Sequence, residues 1–137
     1  MISPFEVIME GLLNTNHRVP ACHWVDNCSK SFVAIDTKGN LYPCEHWVNN
    51  SDFLIGNIQN GLKNSLKNNR LFENRVELLK SSDCKNCDIF DLCYGGCPWN
   101  AWSLYNDCNK KDASICIGRK KLIKHIKDYM SNYGLID

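Results

Sequence analysis

Four of the nine cysteines in this 137-residue chain lie between positions 84 and 97. Cys84 and Cys87 are separated by two residues, a spacing that lets both sulfurs reach one metal. Cys93 and Cys97 follow within the same stretch, and Pro98 comes directly after the last thiol. Thiols this close together indicate a metal site, a redox pair or part of a disulfide framework, and each of these demands a particular cellular environment.

The rest of the composition favours a reducing environment. The first residues show no basic leader followed by an apolar core, and no apolar run approaches the roughly 20 residues that cross a bilayer. Nine is an odd number, so a disulfide framework would leave one thiol unpaired. The formal net charge of +1 gives no reason to expect nucleic acid or a membrane as partner. We therefore expect a cytoplasmic protein and rank a secreted disulfide scaffold low.

The remaining cysteines allow two sites of four thiolates and one spare thiol. The first set would be completed by a cysteine of the short stretch: Cys22, Cys28, Cys44 and Cys97. The second set would take its other three, Cys84, Cys87 and Cys93, and one downstream cysteine, either Cys108 or Cys116. The close of the stretch, a cysteine, three residues, then cysteine and proline, is similar to the end of the bacterial ferredoxin run. This similarity favours iron–sulfur clusters, and a zinc-binding structural or interaction domain is the alternative.

Hydrophobic patterns around the cysteines predict a small, irregular α+β domain with long cysteine-rich loops. Ser3 and Pro4 suit a helix start. Residues 32–44 predict a β-hairpin that turns at Gly39. Short helices are expected at about 59–68, with Leu62 and Leu66 as the apolar positions, and at about 71–80. A C-terminal helix is expected to carry one apolar face, made of Leu122, Ile126, Tyr129, Met130 and Tyr133. Gly95 and Gly96 would let the backbone approach a cluster closely.

The order of these features resembles one known family, the SPASM domain. This is the C-terminal auxiliary-cluster domain of radical S-adenosylmethionine peptide and protein maturases, such as the anaerobic sulfatase-maturating enzymes. The resemblance covers residues 20–131, and seven cysteines and Gly39 register together in it. Four segments resemble the family in the expected order: GNLYPCEHW, FLIGNI, LCYGGCP and SICIGRKKLIKHI.

The resemblance implies two 4Fe–4S clusters and a ligand set for each. Cluster one would be held by Cys22, Cys28, Cys44 and Cys97. Cluster two would be held by Cys84, Cys87, Cys93 and Cys116, which leaves Cys108 as the spare thiol. The resemblance also implies that Glu45, directly after Cys44, accepts a proton during substrate oxidation, although a surface carboxylate is an equally good interpretation.

The resemblance further implies a role in electron transfer and substrate positioning for a maturase. A radical S-adenosylmethionine enzyme needs a CxxxCxxC loop, and this chain has none, because Asn100 stands where the third cysteine would follow Cys93 and Cys97. We therefore expect no catalysis by this chain alone. Residues 1–19 would lead in from a barrel domain that holds S-adenosylmethionine, and 20–137 would form the SPASM domain. The expected partners are that barrel, in the same or a separate chain, and a peptide or protein substrate.

Overall fold

Three short strands form one antiparallel sheet, and helices and 3-10 turns surround it, in a computed structural model that describes residues 5–13 and 22–136. The strands are β1 (Ala34–Ile35), β2 (Asn40–Tyr42) and β3 (Gly56–Asn57). The α-helices are α1 (Phe5–Leu12), α2 (Leu62–Lys67), α3 (Arg75–Ser81), α4 (Phe90–Cys93), α5 (Pro98–Tyr105) and α6 (Ala113–Asn132). The expected α+β class with a C-terminal helix is confirmed, whereas the expected helix start at Ser3 and Pro4 lies outside the described residues.

The predicted hairpin is present and is shorter than expected. Ala34 of β1 pairs with Tyr42 of β2, and Gly39 at the turn has φ +81°, as a glycine tolerates. The Asp36 carboxylate accepts hydrogen bonds from the N–H groups of Lys38 and Asn40, at 2.8 and 2.9 Å. These bonds fix the turn and thereby direct the returning strand toward Cys44.

Two separate hydrophobic cores contact the cysteine-bearing loops. The helical core lies where α1 packs on α6, and its buried members are Ile8, Trp24, Ile89, Ile123, Ile126 and Met130. The aromatic core lies beside the sheet, and its buried members are Tyr42, Trp47, Phe53 and Phe72. The rings of Trp47 and Phe53 are 3.6 Å apart at their centroids, so this core is tightly packed.

Two expected apolar faces differ from the observed ones. On α6, Ile126 and Met130 are buried, but Tyr129 is 52% exposed, and the buried positions also include Arg119 and Ile123. The short helix expected at 59–68 is α2, preceded by a 3-10 turn at Ile58–Asn60. Its leucines are exposed, because Ser65 instead faces the sheet, where it lies directly under Gly56.

In the described part of the chain, no helix combines the length and the apolar character needed to span a membrane.

Candidate metal centre

A cavity of about 220 Å³ lies between the sheet and the start of α5. Its wall includes four thiols, which we call the first cysteine group: Cys22, Cys28, Cys44 and Cys97. Trp47 and Trp99 line the same cavity, with the ring of Trp99 edge-on to Trp47 at a centroid distance of 5.0 Å. The fold thus brings thiols from four separate segments to one space with an aromatic wall.

Burial raises the pKa of the Cys28 thiol to about 12, and the nearby Cys22, Cys97 and Cys44 thiols add to the rise. Burial is also the chief cause of the raised pKa of Cys44. Each thiolate in this group disfavours ionisation of the others, since like charges repel in a poorly solvated space. Without a metal the Cys28 and Cys44 thiols therefore hold their protons at neutral pH.

The second cysteine group lies in the loop after α3, in α4 and in α6, and consists of Cys84, Cys87, Cys93 and Cys116. The Cys87 N–H donates to the Cys84 carbonyl at 3.0 Å, which closes the expected knuckle. Burial raises the pKa of Cys84 to about 11, and the Cys87, Cys93 and Cys116 thiols contribute, while Lys111 opposes the rise. The thiols of Cys87, Cys93 and Cys116 therefore lie near enough to Cys84 to oppose its ionisation.

A tight loop joins the two groups, because Cys93 belongs to the second and Cys97 to the first. Tyr94, Gly95 and Gly96 between them all have positive φ, at 49°, 75° and 76°. A Cβ on Gly96 would lie 2.7 Å from the Asp112 side chain. These glycines were expected to make room for a cluster. In the structure Gly96 instead makes room for Asp112, whose carboxylate accepts from the Cys97 N–H at 3.3 Å.

Two buried arginines lie beside the thiols, and the sequence patterns did not predict them. Arg119 is 7% exposed and donates to the His23 carbonyl at 2.8 Å. The same nitrogen lies 3.6 Å from the Cys93 sulfur, and the guanidinium lies over the Trp24 ring at 4.3 Å. Arg75 is 2% exposed and its four hydrogen bonds go to backbone carbonyls. In the sequence, each of them is marked only as a charged residue that interrupts the apolar pattern of a helix.

Cys108 and Glu45 lie apart from the interior of the thiol groups. Cys108 packs against the aromatic core, and burial raises its pKa, with Asp107 the next cause and Arg75 opposing it. Glu45 stands at the rim of the first cavity, in a 3-10 turn, with its side chain 81% exposed. Its carboxylate lies 3.9 Å from the His46 imidazole, which stacks on Trp99.

The first cysteine group fits an iron–sulfur cluster in both donor type and space, and the second group fits one in donor type. Thiolates are the soft donors that hold such clusters, and a cavity of about 220 Å³ has four of them in its wall. Within residues 5–13 and 22–136, no three His, Cys, Asp or Glu side chains are arranged to hold a single metal ion.

Comparison with known families identifies the segment that contains the first three thiols. Residues 22–88 match the sequence profile of SPASM, described as an iron–sulfur cluster-binding domain. This match confirms the expected resemblance of the chain to the SPASM family. The matched segment contains five of the nine cysteines, and the Cys93, Cys97 and Cys116 positions of the SPASM candidate site lie beyond its end.

Curated proteins similar to this chain include three sulfatase-maturating enzymes. A cysteine-type anaerobic sulfatase-maturating enzyme of Clostridium novyi is 32% identical over 98 residues, 70% of this chain and 25% of its own length. The cysteine-type enzyme of Clostridium perfringens is 34% identical over 97 residues, 64% of this chain and 24% of its own length. A serine-type enzyme of Bacteroides thetaiotaomicron is 26% identical over 112 residues, 80% of this chain and 27% of its own length. The chain thus spans about a quarter of these relatives, and no solved structure matches it.

Proposed function

We propose that this SPASM domain binds two 4Fe–4S clusters, one at each cysteine group, for a radical S-adenosylmethionine maturase that modifies peptides in the cytoplasm. The observation that supports the proposal is the gathering of eight of nine cysteines into two groups, of which the first lines a cavity. When bound, such clusters supply one-electron transfer. The catalytic barrel, on the same or another chain, and the peptide or protein substrate are part of the proposal, because the similar proteins are sulfatase-maturating enzymes.

In this proposal, residues of this chain hold the clusters, shield them from water and orient the substrate. The proposed ligands of cluster one are Cys22, Cys28, Cys44 and Cys97, and those of cluster two are Cys84, Cys87, Cys93 and Cys116. Trp47, 1% exposed, excludes water from the inner wall of the first cavity. The rim residues His46 and Trp99 present a stacked aromatic surface on which a peptide can lie.

Glu45 is the proposed proton acceptor for substrate oxidation. Its support is position, because the carboxylate stands at the open rim of the cavity, one residue after Cys44, and its side chain is 81% exposed. In the complete maturase, Glu45→Gln should abolish peptide turnover while leaving the iron content unchanged. Glu73→Gln, a charge-matched substitution at the Arg70 ion pair, should leave turnover intact. Full turnover by the Glu45 variant would refute this role.

Iron and sulfide counting tests the whole proposal. The 137-residue chain, purified without oxygen, should contain about eight irons and eight acid-labile sulfides. Cys28→Ser and Cys84→Ser should each lose about half of both, and the double variant should lose all, because each removes one site. Cys108→Ser is the matched control and should keep the full count.

Other counts would overturn parts of the proposal in recognisable ways. About two zinc ions without sulfide would show a zinc domain instead. Loss of half of the iron in Cys108→Ser, with no loss in Cys116→Ser, would exchange those two residues in the ligand assignment.

A further inference from the structure

Arg75 is a fully buried cation whose hydrogen bonds all go to neutral groups. It begins α3 and is 2% exposed. Its guanidinium donates to the Cys108 and Tyr94 carbonyls, both at 2.7 Å, and to the Gly95 and Lys110 carbonyls, both at 3.1 Å. The four bonds fix the guanidinium in one place, and none of them neutralises its charge.

No carboxylate compensates this charge among the described residues, since none of the ion pairs between them includes Arg75. A buried charge without a counter-ion is costly, because the protein interior solvates it poorly. Burial lowers the pKa of Arg75, and the opposing influences are thiols: Cys28, Cys108, Cys97 and Cys84. We therefore expect the counter-ions of Arg75 to be cysteine sulfurs in their ionised, ligated form.

The thiols whose charge would act on Arg75 include members of both cysteine groups and the spare thiol Cys108. Cys28 and Cys97 belong to the first group, and with Arg75 they line a narrow space beside the main cavity. Cys84 belongs to the second group. Arg75 also binds the Tyr94 and Gly95 carbonyls, which lie on the loop that connects Cys93 to Cys97. One guanidinium therefore stands between the two sites.

We propose that Arg75 is the shared counter-charge of the two cluster sites and favours reduction at both. The proposal rests on the proposed function above. A cube held by four thiolates changes from a net charge of −2 to −3 when it takes up one electron, so a fixed cation nearby stabilises the reduced form more than the oxidised form. Arg75 acts through charge and position, and it makes no bond to substrate.

The test compares three variants of the cluster-loaded full chain in a dithionite titration followed by EPR of the reduced clusters. Arg75→Gln removes the charge and keeps part of the hydrogen bonding. Arg75→Lys keeps the charge and loses the planar guanidinium with its fixed set of donors. Arg70→Gln is the matched control, because it removes the same charge from a side chain that is 74% exposed. Iron and sulfide are counted on every sample first.

In Arg75→Gln, the ratio of reduced to oxidised cluster at a fixed potential should fall about tenfold or more at both sites, a shift of about 59 mV per tenfold change for a one-electron couple. Arg75→Lys should remain within about threefold of the unsubstituted chain while unfolding at lower urea, because charge is kept and hydrogen bonds are lost. Arg70→Gln should also remain within about threefold, since solvent screens it.

Three results would overturn the proposal: equal ratios in Arg75→Gln and Arg70→Gln, a change at one site only, or an equal change in Arg75→Lys and Arg75→Gln. If Arg75→Gln retains no iron, Arg75→Lys decides alone. A ratio within threefold of the unsubstituted chain then supports the shared counter-charge, and a tenfold fall rejects it. An unsubstituted chain without iron or sulfide would instead refute the proposed function itself.

Discussion

The two cysteine groups are assembled in different ways. The first takes its thiols from the start of the 22–136 segment, from the 3-10 turn at Cys28–Lys30, from the end of β2 and from the start of α5. The second takes three thiols from one short stretch that ends with α4, and only its fourth comes from a distant helix, α6. The first group is therefore a product of the tertiary fold, whereas most of the second is set by local spacing.

Their surroundings differ as well. Cys28 and Cys44 pack against the aromatic core, while Cys87 and Cys93 pack against the helical core. Burial raises the pKa of Cys28 to about 12 and that of Cys84 to about 11. A site formed by distant segments depends more on its occupant to hold those segments together.

Cluster removal should have the largest effect and should expose this difference. We expect residues 20–50 and 81–118 to lose their structure, because protonated thiols no longer tie the loops together. Far-ultraviolet circular dichroism before and after chelation, then after reconstitution with iron and sulfide, measures the loss and its recovery. An unchanged spectrum would contradict the prediction.

Selective removal sharpens the same comparison. Cys28→Ser should increase amide hydrogen exchange across 22–47 more than Cys84→Ser does across 84–97, since the second loop keeps its backbone hydrogen bonds at Cys84 and Cys87. Equal increases would show that the two sites depend on their clusters to the same degree.

The pH dependence of iron uptake should be the next largest effect. A folded, cluster-free form would keep the Cys28 proton up to about pH 12 and the Cys84 proton up to about pH 11, against an ordinary pKa of 9.0. That form binds more protons than the unfolded chain above pH 9, so its free energy of unfolding falls as pH rises from 9 toward 12. Alkaline pH thus disfavours preassembled, empty sites.

Because the cluster-free loops are expected to be unfolded, the rate of iron uptake should rise with pH and level off near the ordinary thiol pKa, about 9. Stopped-flow absorbance over a series of buffers checks this. A rate that continues to rise toward about pH 12 would show that the first cysteine group assembles before iron arrives.

Two glycines provide the smallest expected effect, one near each group. Gly96→Ala should destabilise the loaded protein by about 1–3 kcal/mol, because φ is +76° and the new Cβ would meet Asp112 at 2.7 Å. Gly118→Ala, in α6 near Cys116, should stabilise it by about 0.5–1 kcal/mol, because nothing lies within 4 Å of the new Cβ. Anaerobic urea unfolding measures both, and equal effects would contradict the difference in packing.

The sequence predicted those elements whose signals are local. The turn at Gly39 and the long helix α6 follow from a glycine with positive φ and from a hydrophobic period. The predicted apolar face of α2, Leu62 and Leu66, was wrong. Ser65 fits under Gly56, and the two leucines are therefore exposed. The exposure of Tyr129 and Tyr133 on α6 was also not predicted. Arg119 and Ile123 take the buried positions instead, and the hydrophobic period alone did not distinguish the two sets.

The candidate site divides in the same way. The spacing of the cysteines and the family resemblance predicted two sets of ligands. That assignment remains a prediction, although the structure places the first set around one cavity. Arg75 could not be recognised from the sequence, because its four acceptors are backbone carbonyls of residues 94–110 that only the folded chain brings near. Side chains that bind backbone leave no pattern of residue types to read.

The indole groups around the first cavity have an optical consequence. Trp47 and Trp99 line that cavity, and Trp102 lies 6.0 Å from Trp47 between ring centroids. The broad near-ultraviolet and visible absorption of an iron–sulfur chromophore overlaps indole emission, so excitation energy should pass from these rings to an occupant of the cavity. Intrinsic tryptophan fluorescence should therefore be weak in the loaded chain and strong in the emptied one. The emission of the protein itself should thus report whether the first cavity is occupied.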